Sequence, residues 1–210
     1  MSISPESYIA SLRTKFHRSL RETILTEDND GLVSIADKSQ KFSREVSKIF
    51  LAKLGVGQVI EKQAGQSSGH RFEELCSRFL HDSGPAIGHL RPGIWHVQHI
   101  RSRGKLEVAQ FEQYEHLKVL ADQIEKDPTL ASALGEYSIS PDVVVFREPL
   151  SDEIINEPQN NVDDSVARLT PLREVNNKLM ILHACVSCKW TIRSDRSQVV
   201  RSEGASLLKN

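Results

Sequence analysis

Three charged residues stand where the surrounding sequence is apolar. Asp142 opens the run Asp142-Val143-Val144-Val145-Phe146 after Pro141. Lys189 lies near the end of the apolar segment Leu179–Trp190, and Glu203 falls among Val200, Gly204, Leu207 and Leu208. A carboxylate inside a buried strand costs several kcal/mol unless it is paired or binds a cation. On a strand, alternate residues share a face, so Cys185, Ser187 and Lys189 are expected to point one way, and Val186 and Cys188 the other. On a helix, positions 200, 203, 204, 207 and 208 form one stripe, which puts Glu203 on the apolar side. Two carboxylates and a lysine converging from two strands and a helix describe a divalent-metal site. Asp142 and Glu203 offer hard oxygen ligands suited to Mg2+. Lys189 offers positive charge for an attacking water or for charge developing on a phosphate. That combination serves phosphodiester hydrolysis. Taken singly, Asp142 also reads as a turn former after proline and Lys189 as a side chain snorkelling to water.

A second group follows directly. Arg193-Ser194-Asp195-Arg196 lies between the strand and the last helix. Arginine forks match the O6/N7 edge of guanine, and an aspartate can accept from the cytosine amino group, so such a turn can read G·C pairs. Its plain alternative is a surface turn with a weak salt bridge. Cys185-Val-Ser-Cys188 has the spacing of a redox pair or half a zinc site, but strand parity sends its thiols to opposite faces. Gly55-Val-Gly57 follows a helix and lacks the later glycine and lysine of a phosphate loop.

The positioning elements are legible from periodicity. Ser4-Pro5-Glu6 reads as a helix start, with Ile9, Leu12, Phe16, Leu20 and Ile24 as the stripe and Glu27–Gly31 as the stop. Val33–Ser39 has little periodicity and reads as an arm. A second helix is expected to turn Phe42, Val46, Ile49 and Phe50 inward and to end at Gly55. Gly65–Gly69 reads as a turn capping a third helix, in which Phe72, Leu75, Cys76, Phe79 and Leu80 follow the helical template. There Glu74 faces away from the core and Glu73 sits on the flank of the stripe. A strand over Ile94–Ile100, a long helix over Leu106–Ile124 and a short helix from Asp127-Pro128 to Gly135 come next. Buried strands follow at Pro141–Phe146 and Leu179–Trp190. Between them the acidic stretch to Asp164 reads as a long loop, and Ser194 or Asp195 caps the last helix.

The chain has 210 residues, 39% of them hydrophobic and 26% charged, enough for a real core in one domain. Net charge is -1, but charge is segregated. No acid occurs between Asp82 and Glu107, whereas His89, Arg91, His96, His99, Arg101, Arg103 and Lys105 do; no lysine or arginine occurs between Arg147 and Arg168. Three cysteines do not make a disulfide framework. The start shows neither a basic n-region nor an apolar h-region, and no run reaches the roughly 18 apolar residues of a membrane span, so a cytoplasmic protein without a membrane is expected.

Pro141-Asp142, Ser187-Cys188-Lys189 and Glu203 together resemble the site of the NgoMIV group of type II restriction endonucleases, in the PD-(D/E)XK superfamily. The similarity extends to Cys188–Arg196, Arg201–Gly204, Gly65-Gln66, Ser68-Gly69 with Phe72-Glu73, Arg91-Pro92-Gly93 with Trp95, and Tyr114 with His116-Leu117, so it covers nearly the whole chain. The resemblance implies an α/β fold: a restriction-endonuclease-like core with a central mixed β-sheet flanked by helices. Residues 1–60 would be N-terminal helices and arm, and 61–210 the catalytic core of a single domain. It implies that Ser187 stands where most of the superfamily has an acid, the carboxylate having moved to Glu203. Asp142 and Glu203 would bind a pair of Mg2+ ions with the main-chain carbonyl of Cys188. Lys189 would orient the water, and Glu73 would be an auxiliary acid. Arg193, Asp195 and Arg196 would read an inner CCGG in the major groove. Gln66 would reach the minor groove, and Asp37 the outer pair. The implied substrate is double-stranded DNA at GCCGGC, cut to leave 5′ overhangs by a homodimer or a homotetramer of two dimers in a prokaryotic cytoplasm. A cytosine DNA methyltransferase is the implied genomic neighbour. Members of the group continue past the point matching Asn210, so the C-terminal part of the family fold is expected to lie outside this chain. A truncated, non-cleaving DNA-binding remnant is the alternative expectation.

Overall fold

A computed structural model describes residues 7–54, 65–100, 110–118, 123, 126 and 141–209, with the backbone alone for 65–67 and 209. The expected start at Ser4-Pro5-Glu6, the short helix from Asp127 and the Gly55-Val-Gly57 turn lie outside the described residues. Two compact units account for the fold. One comprises residues 1–87 and 187–202, the other 88–186 and 203–210.

The first unit is helical. Helix α1 runs Tyr8–Thr23, and Ser7 caps it by accepting the Ala10 N–H at 3.3 Å. Its expected stripe is borne out at Leu12, Leu20 and Ile24, all buried. The polar loop after it is a turn held by Asp28, whose Oδ1 accepts from the Asp30 and Leu32 N–H groups at 3.1 and 2.9 Å. Gly31 closes that turn at φ +73°, a backbone region that favours glycine. The segment read as an arm is packed: Val33 and Ile35 join Leu25 and Leu51 in one apolar cluster, and Ala36 forms a parallel bridge with Ile192.

Helix α2, Lys41–Leu54, is turned differently from its apolar periodicity. Ser43, Ser47 and Leu51 face inward, while Phe42 is 73% exposed and Ile49 and Phe50 are exposed too. Ser43 decides this. Its hydroxyl donates to the Ile192 carbonyl at 2.7 Å and accepts from the Asp37 N–H at 2.8 Å, satisfying two backbone groups. Helix α3 spans Gly65–Ser83, so the expected Gly65–Gly69 turn is its first turn instead. Leu75 is buried beside Leu20 and Ile24, with Phe72 and Trp190 packed against them. Trp190 also packs against the Val33 cluster, which makes it common to both apolar groups of this unit.

The second unit is built on a sheet. Strands β1 (Trp95–His99), β2 (Val143–Arg147) and β3 (Ile181–Val186) lie in the order β1-β2-β3. Both pairings are antiparallel, with Val97 opposite Val145 and Val144 opposite Cys185. Among the described residues the sheet is therefore antiparallel rather than mixed, and the parallel pairings are isolated bridges. Val143 and Val144 point to opposite faces, yet both are fully buried, so both faces of β2 are covered. Phe111 is in extended conformation, forms a parallel bridge with Met180 and is 1% exposed against Val144. The expected helix over Leu106–Ile124 therefore does not pass through it, and a 3-10 turn at Glu112–Tyr114 follows instead. Burial of a large aromatic ring in the core outweighs helix propensity here.

The acidic stretch is organised rather than loose. It contains a short helix α4, Asp152–Ile155, and Arg173 at its foot, 3% exposed. That guanidinium forks onto Asp152 and donates to the Asp163 carbonyl at 2.9 Å. The Arg173 hydrogen bond holds the Asp152 carboxyl below its ordinary pKa. The last helix, α5, spans Ser194–Lys209.

Candidate active site

Asp142 stands one residue ahead of β2, at the end of the ladder. Its N–H donates to the Val186 carbonyl at 3.1 Å, and its own carbonyl accepts from Ile100 at 2.9 Å. Main-chain bonds to the segments on both sides thus fix the half-buried residue in place. Glu203 is half-buried on α5. Burial pushes the Cys185 thiol up, and the negative charge of Glu203 adds to that shift. Cys185 pairs with Val144, two residues from Asp142. The stripe that pointed to Glu203 is narrower than its periodicity. Leu207 packs with Phe111 and Val144 and its carbonyl accepts from the Tyr114 hydroxyl at 3.0 Å, while Val200 and Leu208 are exposed.

Strand β3 ends at Val186, so Ser187 and Lys189 do not inherit the face of Cys185 by strand parity. From Ser187 the chain belongs to the helical unit. Cys188 is buried, Lys189 half-buried, and the Ser187 Oγ is buried with no hydrogen-bond partner among the described residues. Cys76, Cys185 and Cys188 are not joined in disulfides. Phe72 and Trp190 meet with ring centroids 5.2 Å apart, so their neighbours Glu73 and Lys189 are carried by elements that touch. Glu73 keeps only 14% of its side chain exposed and pairs with the His70 Nδ1 at 3.2 Å, whereas Glu74 turns outward to Arg71.

The turn after Trp190 gathers more than its own residues. Arg193 donates through Nε and Nη2 to the two carboxylate oxygens of Asp195, 3.1 Å each. The Asp37 Oδ2 stands 3.7 Å from the same Nε. Hydrogen bonds from the Ser39 hydroxyl and N–H, and then the Arg193 charge, hold the Asp37 carboxyl below its ordinary pKa. Arg196 is exposed on the first turn of α5, and the side chain of Gln66 lies outside the described residues. Sequence reasoning did not single out Ser43, the group that joins this turn to the 35–43 segment; two serines four residues apart on α2 were the available signal.

Among the described residues no group of three or more His, Cys, Asp or Glu side chains could hold a metal. Within the sheet unit the donors are the carboxylates of Asp142 and Glu203, both hard oxygens. Such a set suits Mg2+, which keeps much of its water and takes only one or two protein carboxylates.

Comparison with known proteins gives this arrangement its class. Residues 16–210 match the family model described as NgoMIV restriction enzyme. Over 200 residues the chain is 43% identical to the type II restriction enzyme NgoMIV of Neisseria gonorrhoeae, an alignment covering 94% of this chain and 70% of that one. The class is thus that of the type II site-specific deoxyribonucleases. The chain belongs to the NgoMIV restriction enzyme family. No helix among the described residues is long and apolar enough to cross a membrane.

Proposed function

We propose that the protein is a Mg2+-dependent endonuclease of a restriction-modification system, cutting double-stranded DNA at a CCGG-containing site, GCCGGC, and leaving 5′ overhangs. The observation that carries this is the pair of carboxylates: Asp142 fixed at the end of the β2 ladder, and Glu203 close enough to Cys185 to disfavour its thiolate. In this reading Asp142 and Glu203 hold a pair of Mg2+ ions with the Cys188 carbonyl, in a PD-(D/E)XK core within a single domain, and Ser187 occupies the place of the displaced acid. Bound Mg2+ neutralises charge on the phosphodiester and lowers the pKa of its water. Lys189 orients the attacking water and offsets negative charge as it develops, and Glu73 assists as an auxiliary acid. Arg193, Asp195 and Arg196 read the inner base pairs, with Gln66 in the minor groove and Asp37 at the outer pair. The working form is a homodimer or a tetramer of two dimers in a prokaryotic cytoplasm, protected by a neighbouring cytosine DNA methyltransferase.

Incubation with Mg2+ and a plasmid carrying a single GCCGGC should yield one linear product. Lys189→Ala should slow cutting by roughly 10²–10³-fold, the cost of removing one electrostatic stabiliser. Random cutting, or cutting by Lys189→Ala at the natural chain's rate, would sink the reading. Specific duplex binding in Ca2+ without any cleavage in Mg2+ would make the chain a DNA-binding protein instead.

A further inference from the structure

The helical unit holds a cavity of about 470 Å3 between the Asp28–Val33 turn and one side of α2. Lys41, Arg44 and Lys48, at helical spacing i, i+3 and i+7, lie along one side, and Lys38 joins them from the preceding turn. All four are exposed. Lys41 faces Glu45 across 3.8 Å, a surface pair of little worth. Among the described residues no ion pair engages Lys38, Arg44 or Lys48. The rim also carries three acids, Asp28, Asp30 and Glu45, of which Asp28 accepts N–H groups of its own turn and Glu45 faces Lys41. Gly31 brings bare backbone to the wall: a Cβ there would stand 3.5 Å from the Glu27 Oε1 and 3.8 Å from the Lys48 Nζ. The result is a concave surface lined by four cations and three acids, with the cations along its α2 side, where a concave wall focuses their field.

Its position matters as much as its charge. Lys38 is the next residue after Asp37, and Asp37 is bonded through the buried Ser43 hydroxyl to the Ile192 carbonyl. The Ile192 N–H donates to the Ile35 carbonyl at 2.8 Å. The pocket and the Arg193 turn are therefore parts of one hydrogen-bonded assembly within a single unit. Phosphate contacts set register and base contacts specify, so an anion seat rigidly joined to a reading turn sets where that turn meets the bases.

We propose that this cavity is a seat for a backbone phosphate of the duplex, with Lys38, Arg44 and Lys48 as its ligands, and that it positions the Arg193 turn on DNA. The proposal rests on the duplex-DNA reading above. The test measures binding in Ca2+ to a duplex carrying GCCGGC and to a scrambled one, over a series of KCl concentrations. The triple variant Lys38→Gln, Arg44→Gln, Lys48→Gln should bind both duplexes more weakly. Its slope of log K against log[KCl] should be shallower by about 0.9 for each phosphate that the variant no longer neutralises. Asp30→Asn, which removes one of the rim acids, should tighten both. Loss of preference for GCCGGC with an unchanged slope would overturn the proposal, because the cations would then act only on the fold of the turn. So would a triple variant that matches the natural chain while that chain still prefers GCCGGC. Inorganic phosphate stabilising the natural chain but not the triple variant, with no change in DNA slope, would assign the pocket to a free anion and overturn it equally. If the natural chain binds neither duplex, the DNA reading itself fails and this inference with it.

Discussion

Arg193 commits both donors of its fork to Asp195 and has Asp37 close to its Nε. Those are the donors that a guanine O6/N7 edge would take, so the residues proposed to read DNA satisfy one another in the protein alone. Breaking the fork costs the Arg193–Asp195 hydrogen bonds, and only a site that replaces them all restores the loss; a wrong base leaves donors unmet. Arg193→Ala should therefore cost about 1–3 kcal/mol of discrimination at the base pair it reads. Competition between duplexes differing at one CCGG position, in Ca2+, measures this. Equal weakening toward both duplexes would show that Arg193 binds phosphate rather than base.

Helix α2 shows how one polar side chain sets the orientation of an element. Its apolar residues favour a face through Phe42, Val46, Ile49 and Phe50, yet Ser43 and Ser47 are the buried ones. Burying Ser43 satisfies the Asp37 N–H and the Ile192 carbonyl, which would otherwise lie unpaired. Ser43→Ala removes that partner and should cost about 1–3 kcal/mol, read from the urea midpoint. Phe42→Gln, at an exposed position, should change stability by no more than about 0.5 kcal/mol. A larger effect of Phe42→Gln than of Ser43→Ala would restore the orientation that periodicity suggests. Helices α1 and α3 raise no such conflict, because their stripes and buried residues agree at Leu12, Leu20 and Leu75.

At the scale of the whole molecule, stability rests on separate apolar clusters: Leu25, Val33, Ile35 and Leu51, then Leu20, Ile24 and Leu75, in the helical unit, and Phe111 with Val144 in the sheet unit. Phe111 is the largest fully buried side chain among the described residues, so Phe111→Ala should destabilise by about 3–5 kcal/mol. Against a typical total of about 5–15 kcal/mol, that should be plain in a chemical unfolding curve. A change under about 1 kcal/mol would mean that the ring is not closely packed. The segregated charge of the sequence acquires structure at this scale as well. The acidic stretch is held by a buried cation, Arg173, through Asp152 and the Asp163 carbonyl, and not by alternating surface pairs.

The sequence alone carried whatever is encoded in local pattern. The stripes of α1 and α3, the β-branched run of β2 and the apolar run that becomes β3 follow from side-chain periodicity. Asp142 and Glu203 stand out because charge in an apolar pattern is anomalous within a few residues of itself. The end of β3 at Val186, the inward face of α2 and the extended Phe111 were decided only by tertiary structure. Each depends on a partner far away in sequence: Ser43 on Ile192, Phe111 on Met180 and Val144, Trp190 on Phe72. The cation pocket belongs with these. Lys41, Arg44 and Lys48 share one side of a helix, and only the fold sets the Asp28–Val33 turn beside them to make the surface concave.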